Sequence, residues 1–427
     1  MKLKAELEAR GFLKQYTHEE LFDVYENGWE TLYFGCDPTA LSLHLGNLVI
    51  FMSAVNFMKR WHKLILIVWW ATGMIWDPSG KDADRTFLDE ATLAWNETAI
   101  KSQVQNMLQH LSRQSGKEFS FEVVNNKDFY ANMWYLDFLR EVGKYITVNQ
   151  MMSKETVKKR IEDPDKSISY AEFSYMLIQW YDFLHLYQNK DCKLQISGSD
   201  QWGNVVTGIE LIQKRLDKTA YGMTSHLILD STGKKFGKSE GNALRLDPTM
   251  TTPFKIYQYF MNSTDEDVER FLKLFTLLSL EDIDAIVKKH NENPSDRYGQ
   301  TQLARYVTQT IHGVEAMETA VKVTEFLFGA WDKIEHLKAM SSTDIEAIGK
   351  ETGLLRIENS DMSILEALVE SWLEASKWDA KKSIAAGAIY LNEEKVTDIG
   401  STIDANQAIN GCLLLRKGKK SYKLLMK

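Results

Sequence analysis

An apolar run at residues 63–69, Lys-Leu-Ile-Leu-Ile-Val-Trp, most constrains what this chain can fold into. A continuous, β-branched run of this length is typical of a strand that is buried on both faces of a parallel sheet. Further strand-like runs occur at residues 31–34, 119–125 and 193–196, and helix-like segments such as residues 202–216 lie between and after them. The alternation predicts an α/β domain with a Rossmann-like, doubly wound parallel sheet, which binds ligands beyond the carboxyl ends of its strands.

The character of the sequence changes after this domain, which we place at residues 1–225. We expect a polar loop and linker at residues 226–250, and then an α-helical domain at residues 251–330, where apolar residues recur with helical spacing. A looser stretch at residues 331–361 indicates a linker. Residues 362–427 are compact and mixed, and they predict a small α+β domain that ends in a basic tail.

Composition excludes several classes of protein. A net charge of -8 over 427 residues argues against a protein that coats nucleic acid without specificity, although a local basic patch remains possible. The three cysteines are far apart in sequence, so we expect neither a disulfide scaffold nor a cysteine metal site. The charged start does not resemble a signal peptide, and the longest apolar stretch is too short to span a bilayer. The sequence thus favours a cytoplasmic protein without membrane contact.

Two short motifs carry chemistry. His44-Leu45-Gly46-Asn47 begins a predicted helix, where imidazole and amide donors near the positive helix end suit phosphate oxygens. A loop from Lys234 to Ser239 places three lysines around a glycine, a composition that can close on a triphosphate. Each motif alone is also compatible with an ordinary helix start or a solvated basic loop. Their order, one in the sheet domain and one before the helical domain, favours a nucleotide site with a lid.

Together the two motifs resemble the HIGH-type and KMSKS-type signatures of class I aminoacyl-tRNA synthetases. Other segments are similar to those of tyrosyl-tRNA synthetases of the bacterial and organellar kind: residues 33–40 (Tyr-Phe-Gly-Cys-Asp-Pro-Thr-Ala), 71–73, 77–81, 175–179 with Asp182, and 195–204. The resemblance runs through almost the whole chain. It implies an enzyme that activates L-tyrosine with ATP and then transfers the tyrosyl group to the 3′ end of tRNA(Tyr).

The resemblance also implies residue roles, on positions that match the family motifs. The residues for substrate tyrosine are Tyr33, Asp37, Asp77, Tyr175, Gln179, Asp182, Gln195 and Gln201. The catalytic residues are Thr39, His44, Asn47, Lys81, Arg85, Lys235 and Lys238. ATP would be bound by Gly35, His44, Gly46, Asn47, Asp200, Lys235 and Lys238. Mg²⁺ is expected with the ATP phosphates, and no metal is expected to be bound by the protein alone.

The C-terminal domain resembles a small RNA-binding domain that is shared with a ribosomal small-subunit protein. On that basis tRNA phosphates would meet seven basic residues: Lys377, Lys381, Lys382, Arg416, Lys417, Lys419 and Lys420. Ordinary surface lysines are the alternative interpretation. Family members are homodimers, and the apolar stretch at residues 129–145, which we predict as a helix, is the candidate dimer surface.

Tryptophans interrupt the family motifs. Trp69 and Trp70 stand where the motif has Gly-Gly, and Trp76 stands where it has glycine. Of the remaining tryptophans, Trp61, Trp180, Trp372 and Trp378 are similarly out of place, whereas Trp202 matches the family. Since an indole at a glycine position overpacks its surroundings, we expect impaired tyrosyl-adenylate formation in the chain as written. One interpretation is that UGA codons, which some bacteria read as glycine, were translated as tryptophan at all positions but Trp202; the other is that these are true core aromatics.

Three other functions are compatible with parts of the sequence. A catalytically inactive, synthetase-like protein would bind RNA through the basic tail alone. A nucleotidyltransferase of the same superfamily, such as a pantothenate-activating ligase, shares the HIGH-type signature but would lack the helical and basic C-terminal domains. A tryptophan-specific synthetase is the nearest relative, and Tyr33, Asp182 and Gln201 favour a phenol over an indole as substrate.

Overall fold

The computed structural model describes residues 1–73, 88–163, 167–226, 238–239, 242–329, 332–357, 362–418 and 421–426. The chain divides into two compact units, which comprise Met1–Gly313 and Val314–Lys427. The prediction of a separate α-helical domain from residue 251 differs from this division, because the helices up to His312 belong to the same unit as the sheet. No helix in the described ranges is long and apolar enough to cross a membrane.

A six-stranded sheet forms the centre of the first unit. Its strands are β1 (Gln15–Tyr16), β2 (Thr31–Cys36), β3 (Lys63–Val68), β4 (Phe121–Asn125), β5 (Cys192–Gly198) and β6 (Tyr221–Ser225). Their order is β1-β6-β5-β2-β3-β4, and every pair is parallel except β1 with β6. The predicted α/β class and doubly wound sheet are confirmed. The strand order reverses between β2 and β5, which is the switch point where such sheets bind ligands.

Helices surround this sheet. Those before β5 are α1 (Leu3–Arg10), α2 (Glu20–Asn27), α3 (Leu45–Met58), α4 (Trp70–Gly73), α5 (Glu90–Ser115), α6 (Lys127–Tyr130), α7 (Tyr135–Glu141), α8 (Val148–Met152), α9 (Glu155–Ile161) and α10 (Tyr170–Lys190). The single helix that we predicted over residues 129–145 is wrong: α6, α7 and a 3-10 turn at Gly143–Tyr145 occupy this stretch. Its apolar residues therefore divide between the core, where Phe129 and Phe138 pack, and the surface.

The rest of the first unit follows β5. A 3-10 turn (Ser199–Gln201) leads into α11 (Trp202–Leu216), and beyond β6 the short strands β7 (Lys238–Ser239) and β8 (Asn242–Ala243) pair with each other. The helices that follow are α12 (Pro253–Met261), α13 (Asp265–Phe275), α14 (Leu280–Glu292) and α15 (Tyr298–His312), with a 3-10 turn at Pro294–Asp296. Thr252 caps α12 ahead of a proline in its first turn, and Ser279 caps α14, which explains why both helices begin there.

The second unit combines helices with a five-stranded sheet. The helices are α16 (Val314–Phe328), α17 (Lys333–Ala339), α18 (Ser342–Thr352), α19 (Ile364–Glu370) and α20 (Lys377–Ala385). The strands, in the order β11-β10-β12-β13-β9, are β9 (Leu354–Arg356), β10 (Ile389–Leu391), β11 (Glu394–Lys395), β12 (Cys412–Lys417) and β13 (Ser421–Met426), and a 3-10 turn lies at Ala405–Gln407. Two helices and a strand thus lie in the predicted linker at residues 331–361, because Asp332 and Ser341 cap helices that the sequence pattern did not reveal.

Arg10 connects two distant parts of the first unit. Its guanidinium donates hydrogen bonds to the carbonyl oxygens of Lys273 (3.2 Å), Thr276 (3.3 Å) and Leu278 (2.6 Å), at the end of α13 and just beyond it. Those carbonyls include groups that a helix leaves without a partner at its C-terminus. The Arg10 side chain is only 2% exposed, so water cannot readily take the place of the guanidinium as hydrogen-bond donor to these carbonyls.

We expect Arg10→Ala to lower the free energy of unfolding by about 2–4 kcal/mol, because it leaves buried carbonyl groups without their charged donor. Urea unfolding followed by circular dichroism measures this loss. The control is Arg113→Ala, which removes an exposed arginine from the last turn of α5 and should cost about 0.5 kcal/mol or less. Equal losses in the two variants would contradict the connecting role of Arg10.

Candidate functional site

Several of the predicted site residues lie in β2 and β5 or directly after these strands. In the sheet register Tyr33 of β2 lies beside Ile65 of β3 on one side and Gln195 of β5 on the other. Gly35 follows two residues later on β2, beside Ile67. Because parallel strands end at the same edge, the residues after β2, β3 and β5 meet where the strand order reverses.

A cluster of buried polar side chains lies against this edge. Tyr33, Gln179, Asp182 and Gln195 are all buried, although polar groups prefer water unless they have hydrogen-bond partners. The Tyr33 hydroxyl and both polar atoms of the Gln179 amide have no hydrogen-bond partner among the described residues. Tyr175 is buried one helical turn before Gln179 on α10. Unsatisfied polar atoms at this place indicate a ligand that supplies the missing hydrogen bonds.

Asp182 has two neighbours that the motifs did not identify. Its carboxylate accepts hydrogen bonds from the Tyr130 hydroxyl (2.7 Å) and from the Asn126 amide (3.0 Å). The other end of the Asn126 amide accepts a hydrogen bond from the backbone N–H of Ala71 (2.8 Å). The only signal in the sequence was position, since Asn126 directly follows β4 and so lies at the ligand-binding edge.

Burial controls the ionisation of this cluster. Removal from water raises the pKa of Asp182 to about 7, although the hydrogen bonds from Tyr130 and Asn126 oppose the shift. Burial, with Cys192 and the Asp182 charge adding to it, also holds the pKa of Tyr33 well above its ordinary value. Tyr33 therefore stays a neutral hydroxyl, whereas Asp182 can change its charge near neutral pH.

The predicted phosphate site at His44 is a helix start. His44 caps α3: its Nδ1 accepts a hydrogen bond from the Asn47 backbone N–H (3.2 Å), and the Asn47 side-chain oxygen accepts one from the His44 N–H (3.1 Å). This reciprocal capping fixes the imidazole tautomer with its proton on Nε2. A Cβ on residue 46 would lie 2.9 Å from the imidazole, so Gly46 allows the ring to fold back.

The chain that follows the predicted lysine loop is attached to this helix start. The Leu45 N–H donates to the Leu244 carbonyl (3.1 Å), and the Leu246 N–H donates to the Leu43 carbonyl (2.9 Å). Arg245, between them, donates to the Ser42 carbonyl (2.9 Å). Residues 244–246, which follow the KMSKS-type loop, are therefore joined by backbone hydrogen bonds to the start of the HIGH-type motif.

The remaining described residues of the predicted site flank the same edge. Asp37 is half-buried and Thr39 exposed in the turn after β2, and Asp200 is exposed on the 3-10 turn after β5. Gln201 lies between Asp200, to which its amide nitrogen donates (3.4 Å), and Asn204, from which its oxygen accepts (2.9 Å). Four predicted residues, Asp77, Lys81, Arg85 and Lys235, fall outside the described residues, and only the backbone of Lys238 is described, in β7.

Two tryptophans lie at the end of β3. The backbone N–H of Trp69 donates to the Cys36 carbonyl (3.0 Å), so residue 69 continues the pairing with β2. Its indole covers Gly35: a Cβ on residue 35 would lie 2.3 Å from the ring. Trp70 is buried, and the Lys127 ammonium lies 4.1 Å above its ring. An indole thus fills the space in front of the glycine that was predicted to face ATP.

Three of the seven predicted RNA-binding residues, all in the second unit, form ion pairs. Lys377 pairs with Glu366 (2.9 Å), Arg416 with Glu393 (2.5 Å) and Lys417 with Glu374 (2.8 Å). Lys381 and Lys382 are exposed on α20, and the Lys382 ammonium lies 3.2 Å from the Trp378 ring centre. Lys419 and Lys420 fall outside the described residues.

Comparison with known proteins places these features in a family. Residues 26–329 match the family model of tRNA synthetases class I (W and Y), and residues 344–425 match the model of the tyrosine–tRNA ligase SYY-like C-terminal domain. Tyrosine–tRNA ligase 1 of Streptococcus thermophilus (strain CNRZ 1066) is 43% identical over 98% of either chain. The tyrosine–tRNA ligase of Streptococcus uberis is 43% identical over 100% of both chains.

A solved structure agrees with these sequence comparisons. The C-terminally truncated mitochondrial tyrosyl-tRNA synthetase of Aspergillus nidulans is 28% identical, with a TM-score of 0.70. The match covers 77% of the present chain and 94% of that one.

The raised pKa of Asp182 predicts a pH-dependent stability. Because the folded state holds the protonated carboxyl, its stabilising contribution is complete below the unfolded pKa of about 4 and is lost as pH rises through about 7. Asp182→Asn, which cannot ionise, should flatten the pH dependence of the unfolding free energy in this window, by up to about 1.4 kcal/mol per pH unit. Asp191→Asn, at the exposed end of the same helix, is the control and should keep the original slope. An unchanged slope in Asp182→Asn would contradict the shift.

Proposed function

This chain belongs to the tyrosyl-tRNA synthetases of class I, and we propose how its residues carry out tyrosine–tRNA ligation. The enzyme activates L-tyrosine with ATP, releasing pyrophosphate, and transfers the tyrosyl group to the 3′ end of tRNA(Tyr). The observation that carries our assignment of the site is the buried pair Tyr33 and Asp182 beside the switch point of the sheet. The roles below are proposals for individual residues within that reaction.

The substrate phenol would be recognised by Tyr33 and Asp182. The Tyr33 hydroxyl has no partner among the described residues, and the Asp182 carboxylate is oriented by Tyr130 and Asn126. A hydroxyl placed between these groups donates to one and accepts from the other. Phenylalanine would leave the buried Tyr33 hydroxyl without a partner and would deprive the Asp182 carboxylate of one hydrogen bond, and such sites reject the analogue strongly.

The ammonium and carboxylate ends of tyrosine would face residues on α10 and after β5. We assign the ammonium to Tyr175, Gln179 and Gln201, with Asp77 assisting from outside the described residues. The buried Gln179 amide supports this assignment, because its oxygen can accept a hydrogen bond from an ammonium group. Asp37, directly after β2, and Gln195, within β5, would flank the adenylate position.

ATP would bind at the start of α3. His44, with its proton on Nε2, and the side chain of Asn47 lie at the positive end of this helix, where developing negative charge on phosphate is stabilised. Gly35 and Gly46 would allow close backbone approach, which at Gly35 requires that the Trp69 indole leave the space that it fills. Thr39 would add a hydroxyl, and Asp200 would accept from the ribose. Lys81, Arg85, Lys235 and Lys238 would hold the pyrophosphate end.

The reaction needs no protein nucleophile. The tyrosine carboxylate attacks the α-phosphorus of ATP in line, and pyrophosphate leaves, so catalysis depends on positioning and charge stabilisation. We propose that Mg²⁺ enters as part of the ATP substrate. The proposed phosphate site offers nitrogen donors, which suit phosphate oxygens, whereas Mg²⁺ prefers oxygen ligands.

The basic residues of the second unit would contact tRNA. Lys381 and Lys382 are exposed and can meet phosphates directly, whereas Lys377, Arg416 and Lys417 would exchange their carboxylate partners for phosphate. Lys419 and Lys420 complete the set. We also propose cytoplasmic residence, where ATP and tRNA are available.

We expect pyrophosphate exchange that depends on tyrosine and not on phenylalanine or tryptophan. The assay compares the chain as written with a variant that carries Trp69→Gly, Trp70→Gly and Trp76→Gly. The variant should exchange at least about tenfold faster, because glycine removes the indole that covers Gly35 and an overpacked volume of this kind costs at least about 1.4 kcal/mol.

Two outcomes of this assay decide different points. Absence of tyrosine-dependent exchange from both proteins would contradict the proposed site. Equal rates would show that the indoles do not obstruct the site.

Tyr33→Phe tests phenol recognition in the faster protein. The substitution should raise the KM for tyrosine about tenfold, because it removes one buried hydrogen bond to the substrate. An unchanged KM would remove Tyr33 from phenol recognition.

We propose a homodimer that forms through the exposed residues Trp134, Tyr135 and Leu136 at the start of α7. Leu136→Glu places a charge in this apolar surface and should shift the sedimentation mass from two 49.2 kDa chains toward one. Met250→Glu is the control, because Met250 is 49% exposed and Leu136 48% exposed. A dimer that persists in Leu136→Glu, or a monomer in both variants, would contradict this surface.

A further inference from the structure

Trp372 occupies the position that glycine takes at the end of a helix. It follows α19 with φ 60°, in the left-handed region that strains a residue with a side chain. Its backbone N–H donates to the Val369 carbonyl (3.0 Å), and the backbone N–H of Leu373 donates to the Leu368 carbonyl (3.1 Å). This pair of bonds is the Schellman motif, whose left-handed residue is usually glycine. The indole itself is 88% exposed.

Two other helices of this chain end in the same way with glycine. After α1, the Gly11 N–H donates to the Glu8 carbonyl (2.9 Å) and the Phe12 N–H to the Leu7 carbonyl (2.9 Å), with φ 82° at Gly11. After α20, Gly387 and the residue that follows it form the same two bonds, with φ 66° at Gly387. The hydrogen-bond pattern, the helix end and the sign of φ are shared by all three positions, and only position 372 carries a bulky side chain.

Trp61 presents the same conflict in the first unit. It follows α3 with φ 72°, and its backbone N–H donates to the Met58 carbonyl (2.9 Å). Its indole is 64% exposed, whereas His62 next to it is buried, as Leu373 is next to Trp372. In both turns the left-handed residue reverses the chain and the following residue packs inward. The side chain of the reversing residue contributes little to either packing arrangement.

Trp69 conflicts with its surroundings through volume. The indole occupies the space in front of Gly35, at the ligand-binding edge of the sheet. A residue without a side chain at position 69 would open this edge to a ligand.

We propose that glycine is the working residue at positions 61, 69 and 372, so that the tryptophans written there derive from UGA codons that the cell of origin reads as glycine. The part that concerns position 69 rests on the proposed function, whereas positions 61 and 372 rest on backbone conformation alone. The inference does not extend to Trp180, which is 1% exposed and packed in the core.

Thermal unfolding of the full chain tests the two helix ends. Alanine and glycine both remove the indole, but only glycine relieves the left-handed strain. At positions 61 and 372, the glycine variant should therefore have a Tm about 2–4 °C above that of the alanine variant. Trp95, which is exposed within α5, is the control: there Trp95→Ala should have a higher Tm than Trp95→Gly. Equal Tm values, or alanine above glycine, at positions 61 and 372 would overturn the inference.

Two further readouts test position 69 and the decoding. Trp69→Gly should raise tyrosine-dependent pyrophosphate exchange at least about tenfold, and Trp69→Ala should raise it less. If no variant exchanges pyrophosphate while glycine stabilises positions 61 and 372, the proposed site fails and the inference holds for those two positions. In the gene, positions 61, 69 and 372 should carry UGA and Trp202 should carry UGG. UGG at all four positions would overturn the inference that UGA codons are read as glycine at positions 61, 69 and 372.

Discussion

The hydrogen bonds that join β2 to β3 on one side and to β5 on the other determine where the proposed site lies. They hold Tyr33 beside Gln195 and carry Gly35 to the edge where the strand order reverses. The turn after β2 then leads to the capped start of α3. Tyr33, which we assign to tyrosine, and His44, which we assign to the ATP phosphates, are therefore positioned by the same strand. A displacement of β2 by one residue would reverse which face each side chain occupies and would separate the two halves of the site.

Asn126 couples the buried polar cluster to the segment after β3. One end of its amide binds the Asp182 carboxylate, and the other binds the backbone of Ala71. Trp69 and Trp70 directly precede Ala71, so the position of this segment and the orientation of the carboxylate are connected through a single buried side chain. The effect of the indoles is therefore expected to reach phenol recognition as well as the space in front of Gly35.

The sequence predicted β2 to β5, most clearly at residues 63–69, where the strand is a continuous apolar run. It did not predict β1 and β6, which are short or rich in polar residues and glycine. Motifs also singled out His44, Tyr33 and Asp182: the structure buries Tyr33 and Asp182 near each other and places His44 at the start of α3, and their roles stay predictions. Asn126 and Tyr130 escaped prediction because their roles depend on tertiary contacts across the sheet edge. The helices at residues 333–352 were missed because their polar caps precede short, weakly periodic segments.

The left-handed turns at Trp61 and Trp372 show what a motif comparison alone could not supply. Family resemblance marked both tryptophans as unusual, but it gave no physical reason for glycine. The backbone gives one, since φ is positive at each and the following residue is buried. A local conformational requirement thus separates these two positions from Trp180, which the sequence had placed in the same group.

The hydrogen bonds made by Arg10 impose an order on folding during synthesis. Its carbonyl partners, from Lys273 to Leu278, emerge from the ribosome more than 260 residues after it. At about 5–20 residues per second, the guanidinium waits on the order of 10–50 s before α13 exists. During that interval the N-terminal helix lacks its permanent anchor, and the nascent sheet must remain soluble without it. The first unit consequently completes its folding only when residues near 278 have left the ribosome tunnel.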